Sequence, residues 1–208
     1  MSEKSYMSGK PEVKSDYCVS YSPENSGELS INIQSKTAIL HGSKLNSITE
    51  ETLLDLGIKN GKISIIDNGG QYFVLKARIE AVIKDAKPKL SRESLPPFKK
   101  YTQYNSSRDR FRRSRLYIPG NQAKLMLNAG IHQPDAIILD LEDSVAPSEK
   151  DAARLIVRNA LRTLDFFGAE RMVRINQGKT GLNDLEAVIP NNVHLILVPK
   201  VETADELK

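Results

Sequence analysis

Cysteine is almost missing from this sequence. Cys18 is the single one in 208 residues, which excludes an internal disulfide and leads to the expectation of a reducing, cytoplasmic compartment. The three histidines, His41, His132 and His194, are scattered, so neither a zinc cluster nor a Ser-His-Asp arrangement can be read from them. No apolar run approaches the ~20 residues that span a bilayer. The opening "MSEKSYMSGKPEVKSD" lacks the apolar centre of a secretory signal. No G-x-G-x-x-G follows an apolar run, which disfavours a dinucleotide fold, and no internal repeat is visible. What remains is 39% hydrophobic and 27% charged, the balance of a globular chain able to bury a core in one or two domains.

The net charge of +4 is modest but uneven. Basic residues gather between Lys84 and Arg115 and culminate in "RDRFRRSR". Such a run fits phosphate binding and, equally, a solvated linker. Tyr101, Tyr104 and Phe111 are too few and too irregular for a nucleic-acid surface, so neither nucleic acid nor membrane is expected as a partner. The stretch "KPKLSRESLPPFKKYTQYNSSRDR" holds Pro88, Pro96 and Pro97 and has no sustained periodicity. It reads as a linker over 88–111 between domains at 1–87 and 112–208.

After the linker, strand and helix signals alternate. "RLYIPGN", "DAIILDLED", "RMVRINQ" and "VHLILVPK" are apolar cores. "QAKLMLNAGI", "SEKDAARLIVRNALRTLDFF" and "GLNDLEAVI" carry helical spacing between them. Four strands spaced in this way predict βα units on a parallel sheet covered on both faces. Each core ends in polar or turn residues: Pro119-Gly120-Asn121; Asp140, Glu142 and Asp143; Arg174 and Asn176; Lys200 and Glu202. In α/β sheets and barrels, ligands bind at these C-terminal ends. Three acids in four positions repel one another unless cations sit nearby. Arg174 and Lys200 on the same rim meet that need and suit an anionic substrate with a divalent metal. Plainer roles stand beside these. Asp140 is also a loop brace by type, and Lys200 a partner for Glu202 or Glu142.

"RRSRLYIPGN", "AIILDLEDSVAPSEKDAAR", "MVRINQ", "NDLEAV" and "LVPKVETADEL" resemble, in order and spacing, the citrate lyase β-subunit family and the related malyl-CoA and citramalyl-CoA lyases. The resemblance implies a (β/α)₈ TIM barrel, here about four βα units of one. It also implies magnesium (Mg²⁺) and cleavage of a citryl or related 3-hydroxyacyl thioester to oxaloacetate and an acetyl thioester. By the same resemblance Arg174 grips the oxo-acid carboxylate, and Arg113 belongs to the substrate or phosphate environment. Glu142 and Asp143 lie near the metal through water. The direct metal ligands fall on later strands, beyond Lys208, so the chain alone is expected to bind magnesium weakly and to be incomplete for catalysis.

The first domain reads as α+β, with β signals in "ELSINIQS" and "KISIIDNGG" around an amphipathic helix and a closing helix in "LKARIEAVI". It resembles the acyl carrier (γ) subunit of citrate lyase. There a serine before an Asp-led strand carries a phosphoribosyl-dephospho-coenzyme A arm. Counted back from Asp16, that position falls on Lys14, and Ser15 is its neighbour. Ser15 is the expected attachment point, with a turn-capping role as the plain alternative. The resemblance further implies a small-molecule thioester substrate and either other citrate lyase subunits or a homo-oligomer. Two other readings stay open: a non-catalytic scaffold, and a lyase acting on free coenzyme A thioesters.

Overall fold

The computed structural model describes residues 4–36 and 38–207, and the chain divides into two compact units at Pro96/Pro97. Residues 1–3 and 208, at the ends of the expected domains, lie outside the described residues.

The first unit carries a sheet in the order β1-β2-β4-β3, built from β1 (Tyr6–Ser8), β2 (Tyr17–Ser22), β3 (Leu29–Ser35) and β4 (Gly61–Asp67). β1, β2 and β4 run antiparallel, and β3 joins β4 in parallel through helix α1 (Ala38–Asp55). Alternation in "GKISIID" puts Ile63 and Ile65 inside, beside Val19 and Tyr21 of β2. Helix α2 (Tyr72–Ala86) covers this layer with Val74, Leu75, Ile79 and Ile83. Burial also takes in one ion pair. Arg78 donates to both carboxylate oxygens of Asp16, at 3.0 and 2.6 Å.

The second unit is a four-stranded parallel sheet in sequential order: β5 (Arg115–Pro119), β6 (Ala136–Asp140), β7 (Glu170–Arg174) and β8 (Leu195–Leu197). Between them lie α3 (Ala123–Asn128), α4 (Lys150–Thr163) and α5 (Gly178–Val188). The βα alternation expected from the sequence is present. One face of the sheet carries Ala136, Ile138 and Met172, with Leu195 and Leu197 packed against them. The register aligns Pro119 with Asp140, Asp140 with Arg174 and Arg174 with Leu197, so the strand ends form one row. Gly120 turns the chain there. A Cβ on it would meet the Asp140 carbonyl at 2.8 Å, so only glycine fits.

Two expectations need correction. The helix read through "LDFF" ends at Thr163, because Phe166 leaves the helical path to bury itself. Gly130 lies against Phe166 with no room for a side chain, and Phe167 and Gly168 follow in left-handed conformations. The segment 88–111 is not a free linker. Ser94 is fully buried in the first unit. Its N–H donates to Glu80, its hydroxyl donates to Asp55 at 2.7 Å, and it receives Lys76 at 3.2 Å. Residues 97–111 are tied to the second unit. Tyr104 donates to the Ala169 carbonyl at 2.6 Å, Ser106 donates to Glu170, and buried Arg171 donates to the Thr102 and Tyr104 carbonyls. A polar, proline-bearing stretch looks like a tether in sequence, but here its polar groups have buried partners.

Candidate functional site

The row of strand ends concentrates charge. Asp140 ends β6 almost wholly buried, and Arg174 ends β7 beside it. The guanidinium donates Nε to Oδ1 at 2.7 Å and Nη2 to Oδ2 at 2.8 Å, a two-point pair. The loop after β6 folds back over the same carboxylate, with the N–H of Glu142 at 2.9 Å and of Ser144 at 3.1 Å. Burial opposes the charge on Asp140, but the hydrogen bonds from Arg174, Ser144 and Glu142 outweigh it and hold the carboxyl down at about 2. Arg174 is held firmly protonated, first by its hydrogen bonds to Asp140 and then by the charges of Asp140, Glu142 and Asp143.

Lys200 follows β8 with a left-handed backbone and reaches Glu142 at 2.7 Å and Asp143 at 3.0 Å. Its hydrogen bonds to Glu142 and Asp143 raise its pKa, and its bond to Asp143 lowers that carboxyl. Arg174 Nη1 lies 3.3 Å from Glu142 and 3.7 Å from Asp143. Two cations thus face three carboxylates. Tyr117, Ile118, Pro119, Asp140, Ser144 and Arg174 line an open cleft of about 450 Å³ at this rim. The Arg174 guanidinium lies 5.3 Å from the centre of the Tyr117 ring.

The structure therefore brings Arg174, Glu142 and Asp143 together, and Lys200 pairs with Glu142, one of the partners its type suggested. It does not bring Arg113 there. Arg113 precedes β5, its N–H is bound to Asp135 at the start of β6, and its side chain lies over Phe111. That is the N-terminal end of the sheet, about five residues or ~16 Å along the strands from the rim. Ser15 lies in the first unit. It has a left-handed backbone and donates its N–H to Asn68 at 2.9 Å. Its hydroxyl makes no hydrogen bond among the described residues. Asp16 makes the local cap instead, bonding the N–H of Tyr17 at 2.7 Å.

Sequence reasoning passed over Lys150 and Asp184, which hold the rim from beneath. Each left a signal: a lysine in the first turn of a helix, and an aspartate inside the helical pattern "GLNDLEAVI". Among the described residues no three His, Cys, Asp or Glu side chains stand together in a way that holds a metal ion. Two of the rim acids, Glu142 and Asp143, are paired with both Arg174 and Lys200. The ligands expected beyond residue 208 lie outside the described residues.

Two family models match. Residues 113–208 match the HpcH/HpaI aldolase/citrate lyase family, and residues 4–86 match an acyl carrier model described as the malonate decarboxylase delta subunit. The chain is 43% identical over 98 residues to the citrate lyase subunit beta of Leuconostoc mesenteroides subsp. cremoris, covering 46% of this chain and 32% of that protein. It is also 43% identical over 98 residues to a (3S)-malyl-CoA thioesterase of Cereibacter sphaeroides, covering 46% and 34%. A solved Mycobacterium tuberculosis citrate lyase beta subunit, complexed with oxaloacetate and magnesium, is 32% identical. The match covers 46% of this chain and 43% of that one, at a TM-score of 0.39. The chain spans about a third of the length of the curated relatives it matches.

Proposed function

We propose that this chain is a fused acyl carrier and carbon–carbon lyase component of citrate lyase type. Its second unit contributes βα units of a TIM barrel that cleaves a citryl or related 3-hydroxyacyl thioester to oxaloacetate and an acetyl thioester. The observation that carries this reading is the rim of Arg174, Lys200 and three acids at the ends of parallel strands, within the segment that matches the aldolase/citrate lyase family. Arg174 is the contact for the oxo-acid carboxylate. Its Nε and Nη2 are held by Asp140, which leaves Nη1 beside Glu142 and Asp143, and the residue lines the cleft. Glu142 and Asp143 are outer groups of the ligand site.

Two cations against three carboxylates leave the rim net negative, so a dianionic oxo acid needs added positive charge. Magnesium, the cation that the family resemblance implies, fits that need. It is not assigned to ligands on this chain, and no catalytic step is drawn through it. Arg113, at the opposite strand ends, is left for phosphate or no ligand at all.

In the first unit Ser15 is the attachment point for a phosphoribosyl-dephospho-coenzyme A arm, because its hydroxyl makes no hydrogen bond among the described residues and it adjoins the Asp16-led strand. The second reading is a lyase for free coenzyme A thioesters such as malyl-CoA or citramalyl-CoA. The lysine at position 14 and the malyl-CoA thioesterase relatives favour it. Mass spectrometry of the protein from its native host separates the two. A coenzyme-A-type adduct on the peptide bearing Ser15 supports the tethered arm. An unmodified Ser15, or an adduct on Ser8, removes it.

A further inference from the structure

We infer that Lys150 is a positioning residue that sets the conformation of the acidic loop from Asp140 to Ser144, and thereby the spacing of the rim carboxylates. The inference rests on the reading of the rim as a ligand site. A lysine in the first turn of α4 is electrostatically out of place, because that end of a helix is its positive pole and favours acids. Asp151, the next residue, follows the rule and pairs with Arg154 at 2.6 Å. Lys150 does not turn to a carboxylate. It donates to the carbonyls of Leu141 at 3.0 Å and Glu142 at 2.9 Å, and to the side-chain oxygen of Asn176. An ammonium has three donors, and all three are used on uncharged oxygens. Its service is therefore directional rather than neutralising.

The direction matters. With the Leu141 and Glu142 carbonyls held by Lys150, the N–H groups of Glu142 and Ser144 face the Asp140 carboxylate. The Glu142 side chain then reaches Lys200 and Arg174. The anchor is itself fixed. Asn176 donates its backbone N–H and its Nδ2 to one oxygen of buried Asp184, at 2.9 and 2.8 Å, which leaves its side-chain oxygen for Lys150. Arg154 holds the other oxygen of Asp184 at 2.6 Å. A continuous set of hydrogen bonds thus runs from α5 through Asn176 and Lys150 to the acidic loop. None of the three partners of Lys150 lines the cleft, so it acts through the loop and not on the ligand.

The test compares amide hydrogen exchange and oxaloacetate titration in the full 208-residue chain and in Lys150→Met and Lys150→Arg. In Lys150→Met the amides of residues 141–145 should exchange about ten-fold faster or more, with those of β6 and β7 unchanged. Oxaloacetate affinity should fall about ten-fold, and Lys150→Arg, which keeps the donors, should restore most of both. Loop exchange within about two-fold of wild type in Lys150→Met overturns the inference. If wild type binds no oxaloacetate, the rim reading fails, and the exchange comparison alone decides what Lys150 does. If Lys150→Met does not fold, Lys150→Gln takes its place.

Discussion

Arg174 is both a proposed ligand contact and the partner of a buried carboxylate, and substitutions separate the two roles. Arg174→Lys keeps a cation beside Asp140 but has one nitrogen, which cannot hold Asp140 and also take the place of Nη1, so oxaloacetate affinity should fall roughly ten-fold or more while the protein still folds. Unchanged affinity in calorimetric titration removes the ligand role. Asp140 offers a pH test. Its folded pKa, about 2, lies below the ordinary carboxylate value near ~3.9. The stability it contributes is therefore present above pH ~4 and is lost as pH falls through about 2. Asp140→Asn should be less stable than wild type at neutral pH, on the order of 1–2 kcal/mol after solvent screening. That gap should shrink below pH ~4 and close as pH falls through about 2 in chemical denaturation. A gap that does not change with pH contradicts the assigned charge. Arg174 and the acids Glu142 and Asp143 were legible because residues at strand ends share a rim. The fork from Arg174 to Asp140 was not, because pairing across neighbouring strands depends on a register that spacing alone does not reveal.

At the scale of elements, the strap over 88–96 makes the clearest claim. Ser94 joins Asp55, Lys76 and Glu80 where α1 and α2 meet. Ser94→Ala removes the hydroxyl from two charged partners and should lower stability by about 1–3 kcal/mol in thermal or denaturant unfolding. An unchanged midpoint would return the segment to the status of a solvated linker. The strands and helices were readable where apolar period and turn residues agree, as in "AIILD" and "KISIID". The strap was not. Its buried contacts are made one polar residue at a time, without a period, and such contacts look like solvated sequence until the chain is folded. The early end of α4 has the same origin, since Phe166 continues the apolar pattern but satisfies it in a different conformation.

For the molecule as a whole, the chain brings a carrier-like unit and four parallel βα strands whose charged rim lacks a metal-holding cluster among the described residues. Magnesium added alone should therefore bind weakly, with a dissociation constant on the order of 1 mM or above. Micromolar affinity in calorimetry would show that the rim acids are free to act as ligands. The central claim is that the rim around Arg174 takes an oxo acid, and calorimetric titration of oxaloacetate, with magnesium present, into the full chain and Arg174→Lys tests it most directly. The account predicts saturable binding to wild type and roughly ten-fold or greater weakening in the variant. No binding to wild type, or equal affinity in both proteins, would contradict it.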